Sequence, residues 1–343
     1  MALELYKKKT KHFLISLSML IAISIVVALI SLSIGPSMLD PREVFKVVFL
    51  RIKSDESIRV IAMLRVSRTV ASYVCGIALS LAGLLMQTIT RNPLADPYIF
   101  GLSSSALTAI AIAALISPSI TVYKYNLVVI AFAGAIIGYL ATVTLAKLAG
   151  GDSLALVLAG IAVASLFSGL SHVLLYMVQN IIRTPYVYFL MGSAATVTQR
   201  DLGLMTYPII ALIIVAIVFF KPLNTYLYGD EYAKQLGFNP RLVALIATGI
   251  AALSTAIIIA FIGIVGFVGL AAPHIARFFV GSDHKFSIPI AVLVGGSMTV
   301  LADIVVRLVS MYSGAVGELP LGVITSIIGA PFLAYLIVKR MRQ

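Results

Sequence analysis

The stretch GLLMQTITRNPLADPYIFGLSSS, residues 83–105, contains the end of one apolar segment, a polar turn and the start of another. Pro93 and Pro97 cannot continue a helix, and each disfavours the helical conformation in the residue before it. One apolar helix therefore ends near Arg91 and the next begins after Asp96, whose side chain can cap it. The residues allow two interpretations: a capped turn between two helices, or a rigid loop beside a functional pathway.

The chain around this turn is too apolar for a soluble protein. Hydrophobic residues make up 61% of its 343 residues and charged residues 11%, against about 25% charged in a typical soluble domain. A soluble chain of this size could not cover its surface with so few charges, and the high hydrophobicity also excludes intrinsic disorder. The composition predicts an all-α, polytopic integral membrane protein.

Ten apolar segments approach the length of about 20 residues that a helix needs to cross a bilayer. Each must be helical, because the hydrocarbon offers no water to unpaired backbone groups. The first segment is too long for the apolar region of a signal peptide, so we expect it to remain as a span. The chain is predicted to form one polytopic membrane domain over residues 1–343. The predicted spans are 13–34, 66–90, 98–117, 126–149, 154–178, 203–221, 241–262, 264–280, 287–309 and 319–338.

Ten spans place both termini on one side of the membrane, and the distribution of Lys and Arg favours the cytoplasmic side. The first predicted external loop is an exception, because 35–68 is rich in basic residues. Either this loop is placed wrongly or the external surface is basic for a reason. Within it, 36–50 has the apolar spacing of a short amphipathic helix.

Two polar features in the second half of the chain have a structural interpretation and a functional one. Residues 221–241 are long, polar and not needed for spanning, and they form either a solvated loop or a docking element. Asp230 and Lys234 have the i, i+4 spacing of an ion pair that supports a short helix there. Asp303 and Arg307 lie one turn apart near the end of a span, where pairing would reduce the cost of burying charge.

The sequence lacks the residues of most catalytic and coupled functions. It contains no G-x-x-x-x-G-K-[ST] phosphate loop, so the chain is not expected to bind ATP in that way. It has one cysteine, Cys75, and no clustered histidines or carboxylates, so we expect neither a metal site nor a cofactor, and no enzymatic activity of its own. The basic residues show no nucleic-acid pattern. An ion-coupled transporter would normally keep acids within its spans, and here Asp303 and Glu318 lie near span ends.

A weak internal repeat relates two segments that lie five spans apart. Phe100-Gly101-Leu102 opens the third predicted span, and Val268-Gly269-Leu270 lies early in the eighth. Because the two segments lie five spans apart, an odd number, the two halves of the chain would have opposite topology, as in the inverted repeats of many transporters.

Six blocks of sequence, in order and over nearly the whole chain, resemble one known family. The chain is similar to the permeases of binding-protein-dependent ABC importers for ferric siderophores, haem and cobalamin. One departure is Ser67, where the family often has proline. The blocks are RVSRTVASYVCGIALSLAGLLMQTITRNPLADPYIFGLSSSA (65–106), LVLAG (156–160), GDEYAKQLG (229–237), GFVGLAAPHIARFFVGSDHK (266–285), ADIVVRL (302–308) and ELPLGVITSIIGAPFLAYL (318–336).

The resemblance implies a ten-helix, inverted-repeat permease in the cytoplasmic membrane that imports a bulky metal chelate, with a ferric siderophore expected before haem or cobalamin. It implies a homodimer, two ATP-binding subunits on the cytoplasmic face and an extracytoplasmic binding protein. An ion-coupled secondary transporter is the alternative. The implied site residues form three groups: Arg65, Arg68 and Arg307 for docking of the binding protein; Asn92, Leu94, Asp152 and Ser153 for the cytoplasmic gates; and Gly229, Asp230, Glu231, Lys234 and Gly237 for coupling to the ATPase.

Overall fold

The computed structural model describes residues 2–35, 56–119, 123–182, 192–313 and 319–341. All regular elements in these ranges are helical, which confirms the predicted all-α class. The predicted amphipathic helix over 36–50 and the residue Glu318 lie outside the described residues. The helices are α1 (Ala2–Ser33), α2 (Glu56–Ile89), α3 (Leu102–Ile116), α4 (Lys124–Leu148), α5 (Ser153–Ile182), α6 (Gln199–Val218), α7 (Phe220–Leu227), α8 (Asp230–Gln235), α9 (Pro240–Phe261), α10 (Val268–Val280), α11 (His284–Ser313) and α12 (Leu321–Met341), and a short 3-10 helix, Pro97–Phe100, precedes α3.

Seven helices of the described chain are long and apolar enough to cross a membrane, namely α1, α2, α4, α5, α6, α9 and α11. Three further helices are apolar but shorter: α3, α10 and the Leu321–Phe332 part of α12. At 1.5 Å per residue, α3 extends about 22 Å and α10 about 20 Å, less than the hydrocarbon thickness. Within the predicted spans 98–117 and 264–280, the α-helix covers 102–116 and 268–280.

The late starts of α3 and α10 have the same local cause. Gly101 (φ 71°) precedes α3 and Phe267 (φ 66°) precedes α10, and both adopt the left-handed conformation. The two left-handed residues do not occupy equivalent positions of the sequence repeat, because Gly101 is its second residue and Phe267 precedes its first residue, Val268. Left-handed φ is uncommon for a bulky residue, and the Phe267 side chain packs where a Cβ on Gly329 would lie, 2.3 Å from its own Cβ.

The chain forms two compact units. Unit 1 comprises Met1–Ser80, Ser193–Ile213 and Val265–Gln343, and unit 2 comprises Leu81–Gly192 and Ile214–Ile264. In unit 1, α1 packs on α10 and α11, and α12 packs on the same two helices. Tyr73 Oη donates to Ser24 Oγ at 3.0 Å, and Ser24 shares a 2.9 Å hydrogen bond with Ser297. Such hydrogen bonds between helices replace the hydrophobic driving force that lipid does not provide.

In unit 2, α3 packs against α4 and α5, and α9 packs against α4. A Cβ on Gly134 would lie 2.5 Å from the Cβ of Ala109, and one on Gly138 would lie 2.2 Å from Ser105 Oγ. These two glycines, four residues apart, therefore let the α3 and α4 backbones approach closely. Thr142 Oγ1 also donates to the carbonyl of Phe100 at 3.0 Å, which fixes the start of α3 against α4.

Candidate functional sites

The first site is a cluster of charged side chains in unit 1, formed by Arg65, Arg68, Asp303 and Arg307 and called here the arginine cluster. Arg68 Nε donates to Asp303 Oδ1 at 2.9 Å and to Oδ2 at 3.2 Å. Arg307 Nη2 lies 2.9 Å from Asp303 Oδ2. The predicted Asp303–Arg307 pair is confirmed, and Arg68 is a second partner that sequence spacing did not indicate. The Asp303 side chain is 1% exposed, Arg307 4% and Arg68 12%.

The arginine cluster also holds the C-terminal end of α1. Arg307 Nη1 donates to the carbonyls of Ser31 at 2.7 Å and Ile34 at 2.8 Å. Arg65 Nη1 donates to the carbonyls of Leu32 at 3.1 Å and Ser33 at 3.0 Å. The last carbonyls of a helix lack partners within the helix and carry partial negative charge, so guanidinium groups stabilise them. The three predicted docking arginines thus lie together, and the chain itself binds their guanidinium groups.

The second site lies at one end of unit 2 and begins with the 90–101 loop. Asn92 Oδ1 accepts the backbone N–H of Leu94 at 3.0 Å, and the Ala95 N–H binds the Asn92 carbonyl at 3.1 Å. Asp96 Oδ1 accepts the Tyr98 N–H at 2.9 Å. The predicted cap by Asp96 is confirmed, although it caps the 3-10 helix ahead of α3. Burial raises the pKa of the Asp96 carboxyl to about 6.

The turn between α4 and α5 supplies another part of this site. Gly150 (φ 108°) and Gly151 (φ 76°) adopt conformations that favour glycine. Asp152 Oδ1 accepts the Ala155 N–H at 2.6 Å, so it caps the N-terminus of α5, which begins at Ser153. The cap leaves Asp152 exposed beside the glycines.

Residues 221–241 form two short helices rather than the single one predicted. Gly229 (φ 114°) separates α7 from α8. The predicted Asp230–Lys234 pair is wrong, because Lys234 Nζ instead binds Glu231 Oε1 at 2.7 Å. Asp230 lies in the first turn of α8, where Arg91 pairs with it. Gly237 (φ 83°) ends α8, and its N–H binds the Lys234 carbonyl at 2.9 Å.

Arg91 joins the 90–101 loop to these helices. Its Nε donates to the Tyr226 carbonyl at 3.1 Å, and its guanidinium stacks on the Tyr226 ring with 4.6 Å from carbon to centroid. In the sequence, Arg91 marks the end of an apolar segment and adds to the basic residues of a predicted internal loop. The local signal for a functional role of Arg91 is its position, as a single charge between an apolar helix and the Asn92-Pro93 turn.

A cavity of about 630 Å³ brings the turn between α4 and α5 together with the coupling candidates. Its walls include Gly150, Gly151 and Asp152 from that turn, and Asp230, Lys234 and 237–241 from the later segment. Residues from two distant segments, which the resemblance assigns to gating and to coupling, therefore lie around one cavity. Within the described residues, no three His, Cys, Asp or Glu side chains are grouped so that they could hold a metal ion.

Comparison with known proteins identifies the family. The profile of the FecCD transport family matches residues 21–339, nearly the whole chain. The chain belongs to the FecCD transport family. A relative in this family, the cobalamin import system permease protein BtuC of Halobacterium salinarum, is 34% identical over 82% of this chain and 74% of its own. The iron(3+)-hydroxamate import system permease protein FhuB of Bacillus subtilis is 32% identical, covering 92% of this chain and 80% of its own.

A solved structure gives the same assignment for this FecCD chain. It is described as a metal-chelate type ABC transporter in an inward-facing conformation, and it is 28% identical with a TM-score of 0.79. The match covers 95% of this chain and 99% of that one. The chain is accordingly a multi-pass membrane permease of a metal-chelate ABC importer, a type of subunit that is not itself the ATPase.

Proposed function

We propose that this chain pairs with a second permease copy to form the pathway of an ATP-driven importer for a bulky metal chelate. A ferric siderophore is the first candidate cargo, with haem or cobalamin as further candidates. The names of the two relatives, one for iron(3+)-hydroxamate import and one for cobalamin import, support a metal chelate as the cargo. An extracytoplasmic protein delivers the cargo, and two ATP-binding subunits supply the energy.

The cavity in unit 2 is the observation that carries this proposal. A secondary transporter has no need for an exposed short helix beside a polar cavity at the end of its spans. Here α8 presents Glu231, Lys234 and Tyr232, all exposed, and Asp152 lies on the wall of the same cavity. This arrangement suits a surface on which a partner subunit moves α8 and thereby changes the neighbouring loops.

Each group of residues has a role in the proposal. Asn92 and Leu94 form one cytoplasmic gate, and Asp152 and Ser153 form the other. Residues from Gly229 to Gly237, with Asp230, Glu231 and Lys234 between them, couple the permease to the ATPase. Gating and coupling require two conformations whose populations the partners shift, and no covalent chemistry.

The arginine cluster is proposed to receive acidic side chains of the binding protein. Complementary charge would steer the encounter and fix its register. Arg65 and Arg307 are buried and donate to the α1 carbonyls. A carboxylate of the binding protein must therefore compete with those carbonyls for the two guanidinium groups. Arg68, with the largest exposed fraction of the cluster, is the contact we expect to dominate docking.

The proposed topology has ten spans with both termini in the cytoplasm, in the cytoplasmic membrane. Outside the basic segment 35–68, Lys and Arg are in excess in the predicted internal segments, which supports this topology. The proposed inverted repeat rests on the similar triplets near the starts of α3 and α10, two short apolar helices that each follow a left-handed residue, Gly101 or Phe267. Apolar helices too short to cross the hydrocarbon by themselves occur in transporters where the chain lines a pathway.

Uptake into proteoliposomes tests this function. The complex, purified with its ATP-binding subunits, is reconstituted and supplied with its binding protein and ferrichrome, haemin or cyanocobalamin. We expect uptake of one chelate that requires ATP and is unaffected by a protonophore or a sodium ionophore. Uptake that continues without ATP and stops when the ionophore is added would establish the ion-coupled alternative.

A further inference from the structure

Arg91 is the side chain that connects the proposed gate loop to the proposed coupling segment. It lies at the end of α2, and its guanidinium contacts α7 and α8, which come about 135 residues later in the chain. Three contacts converge on it: a hydrogen bond to the Tyr226 carbonyl, stacking on the Tyr226 ring, and the ion pair with Asp230. An exposed ion pair alone would bind weakly, but the three together fix the guanidinium in position and orientation.

The two partners of Arg91 lie on either side of a joint. The Tyr226 carbonyl is in the last turn of α7, and Asp230 is in the first turn of α8. Gly229 between them has φ 114° and no atom within 4 Å of where a Cβ would lie. The guanidinium therefore spans the joint, neutralises the negative end of α7 and holds the start of α8.

The backbone of Arg91 adopts the left-handed conformation just after the end of α2. Within the described ranges, Arg91 is one of two non-glycine residues with positive φ, at 48°, a conformation that costs free energy and persists where the surroundings impose it. Immediately after it, the Asn92–Ala95 turn and the Asp96 cap are closed by hydrogen bonds. Residues 91–100 are thus a hydrogen-bonded segment attached at one end to the α7–α8 joint.

We infer that Arg91 is a positioning residue that transmits movement of α8 to the Asn92–Leu94 gate. This inference rests on the proposed function and adds a specific route to it. When the ATP-binding subunits move α8, the contacts of Arg91 with Tyr226 and Asp230 move the start of the 90–101 loop. The rest of this loop follows because its own hydrogen bonds keep it together. Without the guanidinium, α8 would still move but the gate would not follow.

Distance measurements by spin labelling separate the two movements. On a Cys75→Ala background, one label pair joins Leu94→Cys to Tyr123→Cys, and a second pair joins Tyr232→Cys to Tyr123→Cys. Tyr123 is exposed at the start of α4 and provides the reference. In the complex with its ATP-binding subunits, we expect ATP to change both distances in the otherwise wild-type chain.

In Arg91→Ala, the α8 distance should still respond to ATP while the gate distance loses its response. Arg91→Lys keeps the charge but not the flat stacking surface, and it should retain part of the gate response. Asp230→Asn should weaken the gate response, and Arg91→Ala/Asp230→Asn should be no worse than Arg91→Ala. Lys147→Ala removes another exposed charge, in the last turn of α4, and should leave both responses unchanged.

The outcomes distinguish this inference from the function on which it rests. A wild-type gate response in Arg91→Ala would overturn the inference and leave the importer assignment intact. Loss of both responses would also overturn it, because Arg91 would then be needed to hold α8 itself. A wild-type complex in which ATP does not change the α8 distance would contradict the proposed coupling role, and the inference would fail with it.

Discussion

Arg68 on α2 binds both carboxylate oxygens of Asp303 on α11, at 2.9 and 3.2 Å, across 235 positions of sequence. Asp303 also receives Arg307 from its own helix at 2.9 Å. One buried carboxylate therefore holds two arginines, and the arginine cluster then extends to the end of α1. These contacts join three helices of unit 1 and lead to two predictions.

Replacing Asp303 should destabilise unit 1. Asp303→Asn leaves two guanidinium groups without their carboxylate in a buried site, and breaking a buried pair in this way costs about 3–5 kcal/mol. The measurement is denaturant-induced unfolding of the purified chain in detergent micelles. Glu231→Gln is the control, because its 82% exposed side chain forms only a surface pair, worth about 0–1 kcal/mol. An equal effect of both substitutions would show that the arginine cluster is not structural.

Neutralising Arg68 and reversing the charge of Arg307 should have different consequences. Arg68→Gln should weaken binding of the binding protein at least about tenfold, a loss of roughly 1.4 kcal/mol. The permease should still fold, because Arg307 continues to pair with Asp303. Arg307→Glu should lower the amount of folded protein, because it places a second buried carboxylate beside Asp303 and removes the donors to Ser31 and Ile34.

Surface plasmon resonance with immobilised complex, together with size-exclusion chromatography, measures binding and folding separately. Lys147→Gln, at an exposed position of unit 2, controls for loss of one positive charge. Normal docking by the folded Arg68→Gln permease would remove the arginine cluster from the docking surface.

Close contact between α2 and α11 depends on glycine. A Cβ on Gly76 would lie 1.8 Å from Thr299 Oγ1 and 1.9 Å from the Gly295 carbonyl oxygen, distances at which the backbones must separate. Gly76→Ala should therefore destabilise the protein by about 1–3 kcal/mol or more through overpacking. Gly169→Ala, on α5, meets no atom within 4 Å and should be neutral or stabilising by about 0.5–1 kcal/mol. Thermal unfolding of the two variants checks this, and a similar shift for both would contradict the packing argument.

Asp96 should make stability depend on pH. Its folded-state pKa, about 6, is above the value near 3.8 of a free carboxyl, because burial disfavours the charged form. Its contribution to stability is therefore fully present below about pH 4 and is lost as the pH rises through about 6. Asp96→Asn keeps a cap acceptor for the Tyr98 N–H and should reduce the fall in stability between pH 5 and 7.5. An unchanged pH profile in this variant would show that the fall has another cause.

The sequence predicted the fold well where long apolar segments decide it and poorly where distant contacts decide it. The predicted spans 126–149 and 241–262 differ by one or two residues from α4 and α9, because hydrophobic length alone defines them. α2, in contrast, begins at Glu56 within a polar segment, where a helix start leaves no hydropathy signal.

The candidate sites show the same limit. The i, i+4 spacing was sufficient to predict the Asp303–Arg307 pair. The conformational limits that Pro93 and Pro97 impose were sufficient to predict the 90–101 loop. Spacing failed for Asp230, because Arg91 reaches it from another part of the chain. No local pattern could show that the α1 carbonyls bind Arg65 and Arg307, since those partners meet only after α1 and α2 have packed.

Subunit composition tests the central claim most directly. The tagged chain is extracted from its native membrane in mild detergent, and the purified assembly is weighed by native mass spectrometry. We predict two permease chains with two ATP-binding subunits. A folded permease that repeatedly purifies without any ATP-binding subunit would contradict the account.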